Sequence, residues 1–302
     1  MKYKKEALLC AALAGVLAAC QPTSERFQTE EEPQASDEQE ERIVATTVSA
    51  VELADALNLD LAGIPTSYKD LPERYKDVTE IGNPMSPDLE QIRQLQGDVV
   101  WSVTSLQSDL EEPFSRAGIE AEFLDFQSVA SMNEEIKQIG AKYGRAEEAA
   151  QLVQSFEKRA DELASRAENE EPPTVLILMG VPGSYLVATE HSYVGDLVKL
   201  AGGVNVIEGE QEAEYLASNT EHLQKANPDI ILRAAHGMPD EVVEMFNEEF
   251  KTNDIWKHFN AVQTGRVYDL EELLFGTTGN IAVMEAMDEL EQMFYGEEEQ
   301  PL

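Results

Sequence analysis

Residues 145–169 read RAEEAAQLVQSFEKRADELASRAEN, with neither glycine nor proline, and Leu152, Phe156, Ala160 and Leu163 recur at three to four residues. Strong helix formers dominate, so the stretch predicts one helix of roughly 35 Å at about 1.5 Å per residue. Glu170-Glu171-Pro172-Pro173 ends it, because proline removes a backbone donor and clashes with the preceding turn. On both sides of this helix the chain alternates between short apolar runs and amphipathic segments. Before it come IVATT (43–47), a helix over Val48–Leu57, the run Leu61–Ile64 closed by Pro65, the buried-type strand Asp98–Val103 and another at Glu122–Phe126. Ser86-Pro87-Asp88 predicts a helix start, with Ser86 as the cap and Pro87 in the first position. After the long helix the pattern restarts with TVLILM (174–179), and Gly180–Ser184 reads as a turn. Strands alternating with helices predict largely parallel sheets.

An internal repeat supports two similar halves. Glu90, Ile92, Asp98, Val99, Val100 and Trp101 match Glu221, Leu223, Asp229, Ile230, Ile231 and Leu232 at a constant offset. The expected fold is therefore α/β, two similar lobes with mainly parallel sheets joined by one long helix. The boundaries fall at 42–144 for the first lobe, 145–171 for the helix and 172–302 for the second lobe. Ligands of open α/β sheets sit at the carboxyl ends of the strands, so two facing lobes predict a cleft between them.

The N-terminus reads as an address. Lys2, Lys4 and Lys5 precede an apolar run over Ala7–Ala19 that is too short to span a bilayer, and Leu17-Ala18-Ala19-Cys20 follows. Residues 1–19 fit a signal peptide. Leu-Ala-Ala-Cys resembles the lipobox of bacterial lipoproteins, in which the cysteine thiol carries the lipid, and that resemblance implies lipidation of Cys20. Residues 20–41 are polar, acidic and without apolar periodicity, as expected of a tether between membrane and folded body.

Composition narrows the function. The chain has 302 residues, 22 Lys+Arg against 59 Asp+Glu, and a formal net charge of −37. Nucleic-acid binding needs a basic face to neutralise phosphates, and no large one can be built here. The same deficit opposes attachment to anionic lipid by a basic patch, leaving the lipid anchor as the contact with membrane. Both cysteines, Cys10 and Cys20, lie in the first twenty residues, so the body can hold neither a disulfide nor a cysteine zinc site. No GxSxG, HExxH or Walker A pattern occurs, and the chain reads as a non-enzyme.

Six strings go beyond composition: NPMSPDLE (83–90), VLILMGVPGSYLVAT (175–189), SYVGDLVKLAGGVNVI (192–207), NPDIILRAAHGMP (227–239), NDIWKHF (253–259) and VYDLEE (267–272). Together they resemble the IsdE family of heme-binding lipoproteins, the substrate-binding components of ABC heme importers in Gram-positive bacteria. The resemblance runs from about Arg42 to the C-terminus. It implies the class III, helical-backbone fold, heme b as the transported ligand, and cell-wall heme donors, an ABC permease and its ATPase as partners, at the outer face of the cell membrane. In the family a Met from the first lobe and a His from the second are the axial heme ligands, and those motifs match here at Met85 and His236. Where family members often have Pro-Phe-Gly, this chain has Leu274-Phe275-Gly276. Binding proteins of this class also dock through one surface glutamate per lobe, which the repeat assigns to Glu90 and Glu221.

The residues themselves allow that chemistry without requiring it. Heme iron takes one ligand on each face, and His with Met is a known pair. Heme also carries two propionates, and helix N-termini offer N–H groups to anions. Thr47, Val48 and Ser49 at the start of the first helix, and Ser67 and Tyr68 after the next strand, are candidate propionate contacts, and equally suit simple capping and turns. Val181, Leu274 and Phe275 are candidate apolar walls. Met238 competes with Met85, although it neighbours His236 on the same side. His191, His222 and His258 could join His236 in a metal cluster, but no HxH or HxxxH spacing supports one. Siderophore or corrinoid receptors of the same fold, and a lipid-anchored heme-modifying enzyme, are the alternative functions.

Overall fold

In a computed structural model, residues 41–168, 170–207, 213–217, 223 and 225–296 are described. Cys20, Glu221 and His222 lie outside the described residues.

The first sheet is parallel throughout, in the order β3-β2-β1-β6-β7, from strands β1 (Ile43–Ala45), β2 (Leu61–Ile64), β3 (Thr79–Glu80), β6 (Val99–Val103) and β7 (Ala121–Leu124). β1 and β6 are wholly buried, as expected of apolar runs covered on both faces. Helices α1 (Val48–Ala56), α2 (Leu89–Leu95), α3 (Gln107–Ala117) and α4 (Val129–Lys142) lie between or after these strands. A separate two-stranded ribbon pairs β4 (Gly82–Asn83) with β5 (Ser86–Pro87).

That ribbon corrects the expected helix start. Ser86 and Pro87 belong to β5, and Asp88 is the cap of α2. The Asp88 carboxylate accepts from the backbone N–H groups of Glu90 and Gln91, both at 3.0 Å. One carboxylate thus satisfies two of the helix's orphan donors, while Ser86 is taken up in pairing with Asn83.

The long helix is α5, Ala146–Ala167, 22 residues, with Ala149, Val153, Phe156 and Leu163 buried. It packs on α4 and on the final helix, Val283–Tyr295. The second sheet contains β8 (Thr174–Val181), β9 (Ser184–Ala188), β10 (Val204–Asn205), β11 (Tyr215–Ala217), β12 (Ile230–Ala235) and β13 (Val267–Leu270). Its main order is β11-β9-β8-β12-β13, with β10 pairing β8. β9 pairs antiparallel with both β8 and β11, and the turn expected at Gly180–Ser184 joins β8 to β9. The remaining helices are α6 (Tyr193–Leu200), α7 (Pro239–Thr252), α8 (Asn260–Gln263) and α9 (Val283–Tyr295). α7 approaches β8 so closely that a Cβ on Gly180 would lie 2.4 Å from Val242 Cγ1. None of the described helices is long and apolar enough to cross a membrane.

The repeat acquires a physical meaning here. Asp98, just before β6, accepts from the backbone N–H of Arg42 at 2.8 Å, and its own N–H donates to the Arg42 carbonyl at 2.8 Å. Asp229, just before β12, accepts from the Thr174 N–H at 2.9 Å and donates to the Thr174 carbonyl at 2.9 Å. In both sheets the repeated aspartate clasps the start of the neighbouring strand, at the end away from the cleft.

The two sheets share a continuous apolar core, which includes Phe126 and Met132 from the first half, Phe156 from α5, and Tyr193 and Phe275 from the second. Polar ties cross between the halves as well. Val129 N–H, at the start of α4, donates to the Asp196 carboxylate of α6 at 2.8 Å, and Gly279 N–H donates to the Phe126 carbonyl at 2.7 Å. Gly279 sits where a Cβ would lie about 3 Å from Met132 and Tyr193, so both halves close on a bare backbone.

Candidate functional site

A cavity of about 450 Å³ opens between the halves at the carboxyl ends of the central strands. Its lining includes Thr47, Val48, Ser49, Ser67, Tyr68, Met85 and His236, so the seven candidate heme contacts named from sequence meet in one place. Strand register explains part of this. Ala45 pairs with Trp101, so Thr47 and Val103, each two residues further on, reach the same rim. Ala234 pairs with Leu270, so His236 and Glu272, again two residues further on, arrive together.

In the first half, Thr47 caps α1 in an extended conformation, its hydroxyl accepting from the Ala50 N–H at 3.3 Å and lying 3.2 Å from the Ser49 hydroxyl. Thr47, Val48 and Ser49, which open α1, all line the cavity, so the helix N-terminus lies at its wall. Ser67 accepts from the Lys69 N–H at 2.9 Å, which shapes the loop after β2. Tyr68 reaches into the opening and is 70% exposed. Desolvation of its hydroxyl and, next, the Glu272 carboxylate raise its pKa above the ordinary phenol value, so the phenolate is disfavoured. Met85 forms the tip of the β4–β5 ribbon. Its N–H donates to the Asn83 side chain at 2.8 Å, an Asx turn, and its side chain is 67% exposed.

In the second half, His236 follows the last residue of β12, a strand buried along its whole length. The His236 N–H donates to the Gly180 carbonyl at 2.9 Å, which extends the ladder to the histidine itself. Beneath it, Arg233 is locked by Asp269 at 2.7 Å and by Asn247 at 3.1 Å. Gly237 and Met238 both have left-handed φ, 69° and 52°, and turn the chain sharply into α7. Glu272 is buried. One of its oxygens accepts from the Gly237 N–H at 2.9 Å and lies 3.8 Å from His236 Nδ1. That distance is too long for a hydrogen bond, so the carboxyl lies on the Nδ1 side of the ring without fixing it, close enough to become its partner once Nε2 is engaged.

The apolar wall differs from expectation. Phe275 is fully buried in the core, Leu274 packs against that core, and neither these nor Val181 lines the cavity. Leu273, Val48, Val103 and Leu106 do. Phe275 anchors the loop after β13 in the core, while Leu273, two residues earlier, is exposed at the cavity. That loop also supplies Thr277, Thr278 and Asn280 to the lining, and Asn280 holds it by donating to the Leu273 carbonyl at 3.1 Å. Sequence reading missed Glu272, Lys69 and Glu52, all of which line the cavity.

The other candidates lie apart. Glu90 is exposed in the first turn of α2, beyond the ribbon that carries Met85, and is not in the lining. Met238 is exposed on the second half beside the opening. His191 lies near Glu190, and His258 is exposed in a short 3₁₀ turn rather than on an α-helix. Among the described residues no three histidine, cysteine or acidic side chains gather as metal ligands do.

The chain matches the periplasmic binding protein family over residues 43–273. It is 46% identical over 281 residues to the high-affinity heme uptake system protein IsdE of Staphylococcus aureus strain Newman, covering 93% of this chain and 94% of that one. Among solved structures, an ABC transporter substrate-binding protein from Listeria monocytogenes EGD-e superposes with a TM-score of 0.81 at 60% identity, over 86% of this chain and all of the other. S. aureus IsdE complexed with heme superposes with the same TM-score, 0.81, at 48% identity, over 84% of this chain and 98% of that one. These relatives are uptake and substrate-binding proteins rather than enzymes. With its paired sheets, bridging helix and single shared cleft, this chain belongs to the periplasmic binding protein family and, within it, to the IsdE group.

Proposed function

We propose that this chain is a lipid-anchored receptor that binds heme between its two halves through Met85 and His236 and delivers it to an ABC permease. The observation that carries this reading is that a thioether from one half and an imidazole from the other line a single cavity. The cavity volume falls in the range of roughly 300–1,000 Å³ usual for cofactor-sized ligands. Imidazole and thioether together fill both axial positions, which leaves no open site for oxygen and argues against heme-modifying chemistry. The propionates lie toward the N–H groups of Val48 and Ser49 and toward Ser67 and Tyr68, where neutral donors and the helix dipole favour an anion. Tyr68 serves there as a hydroxyl donor to a propionate. The relatives support the same ligand, since one is named for heme uptake and another was crystallised with heme. A siderophore receptor fits less well. Among the described residues, Lys69 is the only Lys or Arg in the lining, set against Glu52 and Glu272, a poor match for an anionic ferric complex.

Titrating purified protein with ferric heme tests the reading. One heme per chain in a six-coordinate, largely low-spin form is expected. A protein that prefers a corrinoid or a ferric siderophore over heme overturns it.

Heme reaches the receptor from cell-wall donors and leaves through the permease, with Cys20 as the lipid anchor and Glu90 and Glu221 as docking contacts, one on each half. Cys20→Ala is expected to shed the protein from membranes or leave it unprocessed, and cell fractionation reads this directly. Normal cleavage with unchanged membrane attachment refutes the anchor. The Glu90→Ala, Glu221→Ala pair is expected to keep the heme spectrum and lose most heme-dependent growth, because exposed charges at such contacts set orientation and encounter rate. Normal growth at matched expression refutes the docking role.

A further inference from the structure

Glu52 is a carboxyl in the lining of a site for a ligand that is itself anionic. It lies on α1, one turn beyond the Val48 and Ser49 N–H groups and on the same side as Ser49. One of its oxygens, Oε2, is shut off from water and has no hydrogen-bond partner. A carboxylate charge placed there is poorly compensated, so the half-buried group holds a proton more readily than an exposed carboxyl does. The surroundings point the same way. The loop after β2 contributes the Lys69 ammonium, but the Lys69 Nζ also donates to the Glu272 carbonyl at 3.3 Å, so its charge is shared. The loop after β13 contributes the Ile281 N–H, and α6 contributes the neutral phenol of Tyr193, with Asp196 behind it. Glu272 and His236 are the other ionisable groups of the lining beside Tyr68.

We propose that Glu52 is the neutral acid in the loaded receptor, and that seating a heme propionate at the start of α1 draws one proton from solvent onto this carboxyl. The inference rests on the heme reading of the cavity. Its chemistry is simple: no bond to heme changes, one proton moves from water to a carboxylate, and the like-charge repulsion between carboxylate and propionate disappears. Burial already pushes the Glu52 pKa up in the empty receptor, with Lys69 and the Ile281 N–H opposing it. A nearby propionate raises it further. The sign follows from linkage. The loaded form holds more proton than the empty one, so heme affinity falls as pH rises through the interval between the two pKa values. The limit is about tenfold per pH unit for one proton.

The test is a set of heme titrations of the full chain and of Glu52→Gln, from mildly acidic to mildly alkaline pH. Glutamine imitates the neutral acid in shape and polarity. Every other group of the site and of the ligand is common to both proteins, so their difference isolates Glu52. The wild type is expected to weaken with rising pH and Glu52→Gln to stay comparatively flat, binding more tightly than the wild type at the alkaline end. Parallel profiles overturn the proposal. Infrared difference spectra of loaded minus empty wild type give an answer even if Glu52→Gln misfolds. A gained carbonyl band of a neutral carboxylic acid is expected, and its absence overturns the proposal. A wild type that takes no heme at any pH refutes the heme reading instead.

Discussion

The two halves present their proposed iron ligands in opposite ways. His236 stands at the end of a fully buried strand, its own N–H in the ladder, with Arg233 clamped beneath and Glu272 behind the ring. Met85 stands at the tip of a two-stranded ribbon, 67% exposed, with one Asx turn for support. One ligand is built in before heme arrives, while the other hangs on a short excursion from its sheet. The chemistry of the atoms matches the supports. Imidazole nitrogen is the stronger ligand to ferric iron and gains from a fixed geometry, whereas a thioether is weak toward ferric iron and exchanges easily. A carrier must release what it binds, and a firm ligand opposite a loose one suits that need.

The contrast breaks most sharply at His236. His236→Ala is expected to weaken heme binding beyond the range of roughly 10–100-fold typical for loss of a supporting residue. Equilibrium titration measures it, and a loss smaller than that of Met85→Ala reverses the proposed ranking. Glu272→Gln comes next. It keeps the volume and an acceptor for Gly237 but replaces the carboxyl facing Nδ1, and a loss of about tenfold is expected. If Glu272→Gln binds heme as the wild type does, His236 is held by its backbone alone. Met85→Ala is expected to show the smallest loss in affinity, under about tenfold, with a clear change of spectrum as water or an open position replaces sulfur.

The same contrast governs what could be read from the chain. The β–α alternation, the long helix and the two halves follow from local periodicity, and the repeated Asp98 and Asp229 do the same job in each sheet. Met85 and His236 stood out through the strings around them, and the cavity contains both. The start of α2 was misplaced because Ser86 and Asp88 both satisfy capping rules, and only the pairing of β5 with β4 decides between them. Glu52 and Glu272 were hidden among 59 acidic residues, since nothing local marks a carboxylate that the fold will bury. One signal was available for Glu272: it follows VYDL, a strand-like run, and so belongs at the carboxyl edge where ligands bind. The apolar wall failed for a similar reason. Leu273, Leu274 and Phe275 are interchangeable by composition, and the direction of each is fixed only when Phe275 enters the core.

The absorption and electron paramagnetic resonance spectra of ferric heme bound to wild type, Met85→Ala and His236→Ala test the central claim most directly. The account predicts a low-spin, six-coordinate wild type with the near-infrared charge-transfer signature of thioether ligation. It predicts that signature gone in Met85→Ala while heme is retained, and heme largely lost in His236→Ala. Wild-type spectra from both variants contradict it and place the iron on other side chains.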